Sequence, residues 1–238
     1  MQKLRVVNLE KTCFIYRTFY MVDNPKIRCN NLYIPNKNSL LVYNHKLVNL
    51  LYMLRFLLKL YWKIFGWKLS GTFPYQYKKI VLAVAPHTHW VDVMTGFVAR
   101  QAMHIEHAKF LAKKELFVWP LGWVLRKMGG TPVDRFAKQG MVDQVVALFN
   151  SHETFMLGIS PEGTRKRVDK LRTGFYYIAK KAGVPIVPIG FDYANKLVVI
   201  GEAFFAGDNE TADLKKIVAF YAAIKGKIPA FDMRHLKI

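Results

Sequence analysis

From residue 79 onward, short apolar runs alternate with longer segments whose apolar residues recur at helical spacing. Ile80–Ala85 and Phe155–Ile159 are continuous apolar runs, which is typical of strands buried on both faces of a parallel sheet. Further strands are predicted at Lys109–Ala112, Pro185–Gly190 and Lys196–Gly201, and helices at Val91–Met103, Pro120–Met128, Phe136–Asn150, Lys170–Ala182 and Thr211–Ile224. This alternation predicts an α/β domain with a mainly parallel central sheet flanked by helices.

Leu47–Trp67 has the pattern of an amphipathic helix with a basic stripe. Arg55, Lys59 and Lys63 recur at every fourth position and therefore lie on one side of a helix, while apolar and aromatic residues fill the rest. These cations argue against a helix that spans a membrane and favour one that lies in the headgroup region of a bilayer. The alternative is a core helix whose lysine stripe faces water.

Residues 1–46 show no regular pattern, because Pro25, Pro35 and asparagine-rich runs interrupt them. The predicted organisation is therefore an irregular extension over 1–46, an amphipathic membrane-surface helix over 47–68 and an α/β domain over 69–238. The two cysteines, Cys13 and Cys29, lie in the extension, which indicates no disulfide framework and fits a reducing compartment. The first residues contain no continuous apolar run typical of a secretory signal.

The chain is strongly basic, with 36 Lys and Arg against 16 Asp and Glu and a formal net charge of +20. Such an excess predicts polyanionic partners, which are nucleic acids, anionic membrane surfaces or phosphorylated substrates. The positive charge is dispersed along the chain, and no nucleic-acid-binding module is recognisable. The pattern therefore argues against nucleic acid as the partner.

The first group of candidate catalytic residues follows the strand Ile80–Ala85. His87 and Asp92 lie five residues apart, at a strand end that leads into a helix, which is where open α/β sheets place their ligands. A carboxylate there can reach back to one imidazole nitrogen and leave the other as a base. His87 is therefore the candidate general base and Asp92 the residue that orients it.

Two other interpretations of this group stay open on spacing alone. His87 and His89 followed by Asp92 resemble the His-x-His-x-Asp-His run of zinc hydrolases, but Asp92 comes one residue late and Val93 stands where the next histidine belongs. Alternatively, the histidines only satisfy a loop and Asp92 caps a helix.

A second candidate group, Ser160–Arg165, follows the strand Phe155–Ile159. Gly163 permits a close backbone approach, and the Arg165 guanidinium can bind phosphate through two hydrogen bonds. Lys166, Arg167 and Lys170 add positive charge nearby. Taken alone, this segment also fits an ordinary basic surface turn.

The two groups together resemble the glycerophospholipid acyltransferase superfamily, specifically the 1-acylglycerol-3-phosphate (lysophosphatidate) acyltransferases. Four sequence blocks match in order between about residues 55 and 201. The matching residues are His87, Trp90 and Asp92 in the first block, Gly130–Arg135 in the second, Glu162, Gly163, Thr164 and Arg165 in the third, and Val184–Ile189 in the fourth. The resemblance implies that His87 and Asp92 are catalytic and that Arg135 and the third block bind the acceptor.

The resemblance also implies what the reaction is. A fatty acyl group would pass from acyl-CoA or acyl-acyl carrier protein, the co-substrate, to the hydroxyl of a lysophospholipid acceptor. The resemblance implies no cofactor and no metal. The expected place is the cytoplasmic face of a membrane. The expected partners are the anionic membrane surface and, where it carries the donor, acyl carrier protein.

The chain departs from the family pattern at four positions, which are Pro86, His89, Pro132 and Ser160. None of them removes a proposed catalytic group, but Pro132 and Ser160 lie in blocks assigned to the acceptor. A lyso-aminolipid acceptor is therefore one alternative. A non-catalytic protein that binds anionic lipids is another, supported by the charge of +20 and opposed by the presence of both His87 and Asp92.

Overall fold

The computed structural model describes residue 53 and residues 56–58, 60–119, 121–134 and 140–236. The predicted extension over residues 1–46, both cysteines, Arg55, Lys59 and Arg135 lie outside these residues. The description below is confined to the compact unit Arg55–Ile238.

Seven strands of the described chain form one mixed sheet. The strands are β1 (Lys68–Ser70), β2 (Lys79–Ala85), β3 (Lys109–Lys113), β4 (Gly130–Val133), β5 (Phe155–Ile159), β6 (Ile186–Asp192) and β7 (Leu197–Ile200), in the spatial order β1-β7-β6-β2-β5-β3-β4. The five strands from β6 to β4 are parallel, whereas β7 runs antiparallel to β6 and β1 runs parallel to β7. The predicted α/β fold with a mainly parallel sheet is confirmed.

Helices cover both faces of this sheet. They are α1 (Val91–Ala102), α2 (Leu121–Lys127), α3 (Met141–Ser151), α4 (Gly174–Ala182) and α5 (Glu210–Ala222), with short 3-10 turns at Lys114–Leu116 and Pro229–Phe231. Residues 56–58 and 60–64 are also helical, within the predicted amphipathic helix. Among the described residues, no helix combines the length and apolarity needed to cross a bilayer.

The alternating side chains of β2 show how the two faces are filled. Val81 and Ala83 point into a buried cluster built from α3, α4 and α5, where Phe149 is fully buried. Ile80 and Leu82 point to the opposite face, into a second cluster that includes Ala99 of α1. A strand buried on both faces needs an unbroken apolar sequence, which is why β2 was recognisable.

Two strands escaped prediction, and two helices begin later than predicted, one of them α3, which begins at Met141 and not at Phe136. The strand β4 escaped prediction because a glycine pair and Pro132 resemble a turn, yet β4 lies at the edge of the sheet, where a proline is tolerated. The three-residue strand β1 has too short a pattern to recognise. Helix α4 begins at Gly174 and not at Lys170, because residues 170–173 belong to the loop that follows β5.

Candidate active site

The two candidate groups meet at one edge of the sheet. Strands β2 and β5 are parallel neighbours, with Ala83 opposite Ile159, so the loops that follow them leave the sheet on the same side. Strand β6 flanks β2 on its other side and is also parallel, so Tyr193 lies at the same edge. Because the carboxyl ends of parallel strands share this edge, residues far apart in the sequence converge there.

Asp92 is the buried centre of the first group, with a side chain fully shielded from solvent. One carboxylate oxygen, Oδ2, accepts hydrogen bonds of 2.7 Å from the backbone N–H groups of Thr88 and His89. The other, Oδ1, accepts a 2.6 Å hydrogen bond from the hydroxyl of Tyr193. Burial alone would raise the pKa of Asp92, but these hydrogen bonds and that of His87 outweigh it and hold the pKa below its usual value.

The imidazole of His87 lies against this carboxylate. Its Nδ1 is 3.4 Å from Asp92 Oδ2, and the side chain keeps 27% of its surface exposed. The separation is longer than an ordinary hydrogen bond. An ionised Asp92 at Nδ1 favours the tautomer with the proton on Nδ1 and leaves Nε2 as an accessible base.

His89 has a different role from His87 in this loop. Its Nδ1 accepts a 3.2 Å hydrogen bond from the N–H of Val91, the first residue of α1. This bond satisfies one of the free N–H groups at the helix start, as a capping side chain does. Because Nδ1 accepts, the neutral ring carries its proton on Nε2.

Glu162 connects the second group to the first. Its Oε2 accepts a 2.7 Å hydrogen bond from the backbone N–H of His87 and a 3.1 Å bond from the hydroxyl of Ser160. The residue is fully buried, and its Oε1 has no hydrogen-bond partner among the described residues. Burial raises the pKa of Glu162 to about 7, against the opposing effect of the two hydrogen bonds.

The remaining residues of the second group form an exposed basic loop. Gly163 adopts a φ of +63°, and a Cβ there would come within 2.6 Å of the Arg172 side chain, so the position requires glycine. Thr164 Oγ1 accepts a 3.3 Å hydrogen bond from the N–H of Lys166, which tightens the loop. Arg165 is exposed and forms no salt bridge within the described part of the chain.

The predicted site residue Arg135 lies outside the described residues. The residue before it, Asp134, follows β4 at the same edge of the sheet as His87. The side chain of Gln144 holds the backbone of Asp134 through both its amide atoms, at 2.8 and 3.3 Å. The acceptor-binding role of Arg135 stays a prediction.

Sequence reasoning missed Tyr193, which bonds both Asp92 and Thr95. Its hydroxyl lies 3.1 Å from Thr95 Oγ1, and its backbone N–H donates to the carbonyl of Lys225. The only signal was its place directly after β6, on the edge that carries the other loops. The segment after α5 also supports the first group, because the N–H of Ile228 donates to Thr88 Oγ1.

Within the described residues, no three His, Cys, Asp or Glu side chains are grouped as metal ligands. Asp92 Oδ2 is occupied by backbone N–H groups, and His89 Nδ1 by the start of α1. These two of the donor groups on which the zinc-hydrolase interpretation depends are thus engaged in hydrogen bonds.

Comparison with known proteins matches both groups to one type of domain. A family model described as acyltransferase matches residues 68–192, a range that contains every described residue of the two groups. The chain is 32% identical over 126 residues to a chloroplastic 1-acyl-sn-glycerol-3-phosphate acyltransferase of Brassica napus. It is 30% identical over 126 residues to another, from Arabidopsis thaliana.

These alignments cover 50% of this chain but only 34% and 33% of the two plant proteins, so the matched region is about a third of their length. Among solved structures, a 1-acyl-sn-glycerophosphate acyltransferase from Thermotoga maritima is similar over 71% of this chain and 76% of its own. The sequence identity is 18% and the TM-score 0.48.

Proposed function

The chain belongs to the acyltransferase family, and we propose that it transfers a fatty acyl group from a thioester donor to the hydroxyl of a lysophospholipid such as 1-acylglycerol-3-phosphate. The observation that carries the proposal is the pair of a buried, ionised Asp92 and a partly exposed His87 at the loop edge of the sheet. The plant relatives support the choice of acceptor through their names.

The proposed reaction begins with removal of the acceptor's hydroxyl proton by His87 Nε2. The hydroxyl oxygen forms a bond to the thioester carbonyl carbon, and the carbonyl oxygen becomes an oxyanion. When the C–S bond breaks, the thiolate leaves and takes the proton back from the imidazolium. Asp92 holds the ring and stabilises its charged form between the two steps, an arrangement that accelerates such reactions by about 10²–10⁴.

The basic loop after β5 is the proposed site for the acceptor's anionic head. Arg165, Lys166 and Arg167 are exposed there, beside the loop that carries His87. A guanidinium can donate two parallel hydrogen bonds to a phosphate. Arg135 is proposed as a further contact to the same phosphate.

We also propose a peripheral or monotopic position at the cytoplasmic face of a membrane, within phospholipid biosynthesis. The net charge of +20 supports attraction to an anionic leaflet. The helical residues Phe56, Leu57 and Ile64 expose apolar side chains, as the predicted amphipathic helix requires.

The test is an acyl-transfer assay on the purified protein in mixed micelles. Acyl-CoA and acyl-acyl carrier protein serve as donors, and lysophosphatidate and a lyso-aminolipid as acceptors, beside His87→Ala. Transfer to lysophosphatidate that the variant lacks, with an unchanged unfolding temperature, would support the proposal. Transfer only to the aminolipid would move the assignment to that acceptor, and vesicle binding without any transfer would favour a lipid-binding protein.

Arg165→Ala tests the acceptor site separately. We expect the KM for lysophosphatidate to rise by about tenfold or more while donor use is unchanged, because a charge-assisted contact to phosphate is lost. Lys215→Ala on α5 is the matched control, since it removes the same charge from an exposed position that contributes nothing to the described site. Equal KM values in the two variants would refute the role of Arg165.

A further inference from the structure

The segment after β3 exposes a set of large apolar side chains to solvent. Trp119 is 88% exposed, Val118 63% and Trp123 48%. Together with Leu121 and Leu116, which are 47% and 44% exposed, they define what we call the β3–α2 apolar surface. Soluble domains seldom leave such residues together on the surface, and clusters of this kind mark contact sites.

The local backbone keeps these side chains outward. Gly122 is buried, and a Cβ there would lie 2.3 Å from the carbonyl carbon of Phe117, so the absence of a side chain lets the segment close on itself. The guanidinium of Arg126 lies 5.2 Å from the centre of the Phe117 ring and covers it. Phe117 is thus partly covered, whereas its apolar neighbours are exposed.

The surface lies at the loop edge of the sheet, where His87 also lies. Strand β3 is parallel to β5, so the segment that begins at Lys114 leaves the sheet on the same side as the loops of the candidate site. Trp90, at the start of α1 beside His87, is 59% exposed on that edge as well. An occupant of this surface would therefore lie beside the entrance to the site.

The charge around the surface identifies the chemistry of its occupant. Exposed Lys113, Lys114 and Arg126 flank the apolar residues, with Glu115 as the single acid between Lys113 and Arg126. Indole rings with adjacent cations are the combination found where proteins meet the headgroup region of a membrane. A protein partner of ordinary composition would not require this excess of positive charge.

We propose that the β3–α2 apolar surface inserts into the headgroup region of an anionic phospholipid bilayer, as a contact separate from the helix before β1. It would hold the loop edge of the sheet against the leaflet in which an acyl acceptor resides, a consequence that rests on the proposed function. Lys113, Lys114 and Arg126 would then interact with anionic headgroups while Trp119 and Trp123 enter the apolar boundary.

The test compares vesicle binding of the full chain with that of Trp119→Ser/Trp123→Ser. The vesicles are an equimolar mixture of phosphatidylcholine and phosphatidylglycerol. We expect the partition coefficient of the variant to fall roughly tenfold to a hundredfold, because both indoles lose their apolar burial. The binding that the unmodified protein retains at high salt should fall by a similar factor in the variant, since apolar insertion is not screened by ions.

The matched control is Tyr75→Ser/Phe205→Ser. These aromatic residues are 59% and 54% exposed, and they lie at the opposite edge of the sheet, next to the starts of β2 and β6. Equal loss of binding in both double variants, or no loss in either, would overturn the proposal. A lower unfolding temperature specific to the tryptophan variant would also overturn it, because the side chains would then be covered by the chain itself.

Two further readouts separate the remaining explanations. If the tryptophan variant differs from the unmodified protein in oligomeric state in solution and still binds vesicles, the surface contacts a second copy of the chain. That result would overturn the membrane contact. Acyl transfer from a short-chain donor to an acceptor that forms no micelles should be the same in the unmodified protein and in both double variants. Absence of that transfer in every protein, with the binding difference preserved, would refute the proposed function and leave this inference standing.

Discussion

Replacement of Glu162 by glutamine is expected to stabilise the protein at alkaline pH. The residue is fully buried, and its pKa rises from 4.5 in the ordinary state to about 7 in the fold. A carboxyl whose pKa is raised by folding favours the native state fully below pH 4.5 and loses that contribution as the pH rises through 7. At 1.36 kcal/mol per pKa unit, ionisation of Glu162 reduces the free energy of unfolding by about 3 kcal/mol at high pH.

Glutamine mimics the protonated acid at this position. Its carbonyl oxygen can accept the hydrogen bonds from the His87 N–H and the Ser160 hydroxyl, and its amide group takes the place of the unpartnered Oε1. The glutamine variant cannot ionise, so the two proteins should diverge in stability only as Glu162 titrates. From the two pKa values, the difference in the free energy of unfolding between them should grow by about 2 kcal/mol from pH 5 to pH 8.

The measurement is urea unfolding of both proteins at several pH values between 5 and 8. Glu153→Gln is the control, because that carboxylate is 85% exposed and pairs with Lys78 at the surface. Its difference from the unmodified protein should change little over the same range. Parallel stability curves for Glu162→Gln and the unmodified protein would refute the reasoning, since they would mean that Glu162 is ionised at no cost.

Three other changes test the groups around His87. Tyr193→Phe removes the hydroxyl bonded to Asp92, so kcat should fall by about tenfold; an unchanged kcat would contradict this. His89→Ser should retain transfer and lower the free energy of unfolding by about 1 kcal/mol. A loss of activity comparable to that of His87→Ala would instead identify His89 as a second base. Gly163→Ala should weaken acceptor binding with little change in donor KM, because its φ of +63° and its crowded position force the loop to move; an unchanged acceptor KM would disprove that.

The sequence was most informative where the chemistry is local. His87 and Asp92 are joined by one turn, so their spacing permits the contact that the structure brings to 3.4 Å. The strands β2 and β5 were also predictable, because burial on both faces demands an unbroken apolar run. Strand β4 was not, since a short edge strand with a proline has no such requirement.

Contacts between distant segments could not be predicted in the same way. Tyr193 lies 101 residues from Asp92, and Glu162 lies 75 residues from His87. Their meeting depends on the order of strands in the sheet, which hydrophobic periodicity does not specify. Once β6, β2 and β5 are known to be parallel neighbours, however, every residue directly after them becomes a candidate for the same site.

The two buried carboxyl groups of the site have pKa values shifted in opposite directions, although both lie at the same edge of the sheet. Asp92 accepts two backbone N–H groups and a tyrosine hydroxyl, and its pKa is lowered despite burial. Glu162 has fewer donors and an unpartnered oxygen, and burial raises its pKa. Near neutral pH, Asp92, which faces the His87 ring, is therefore ionised. Glu162, which accepts the backbone N–H of His87, carries less negative charge. Such a division leaves the positive charge of the Arg165 loop less opposed, which is the electrostatic condition that the proposed binding of an anionic acceptor requires.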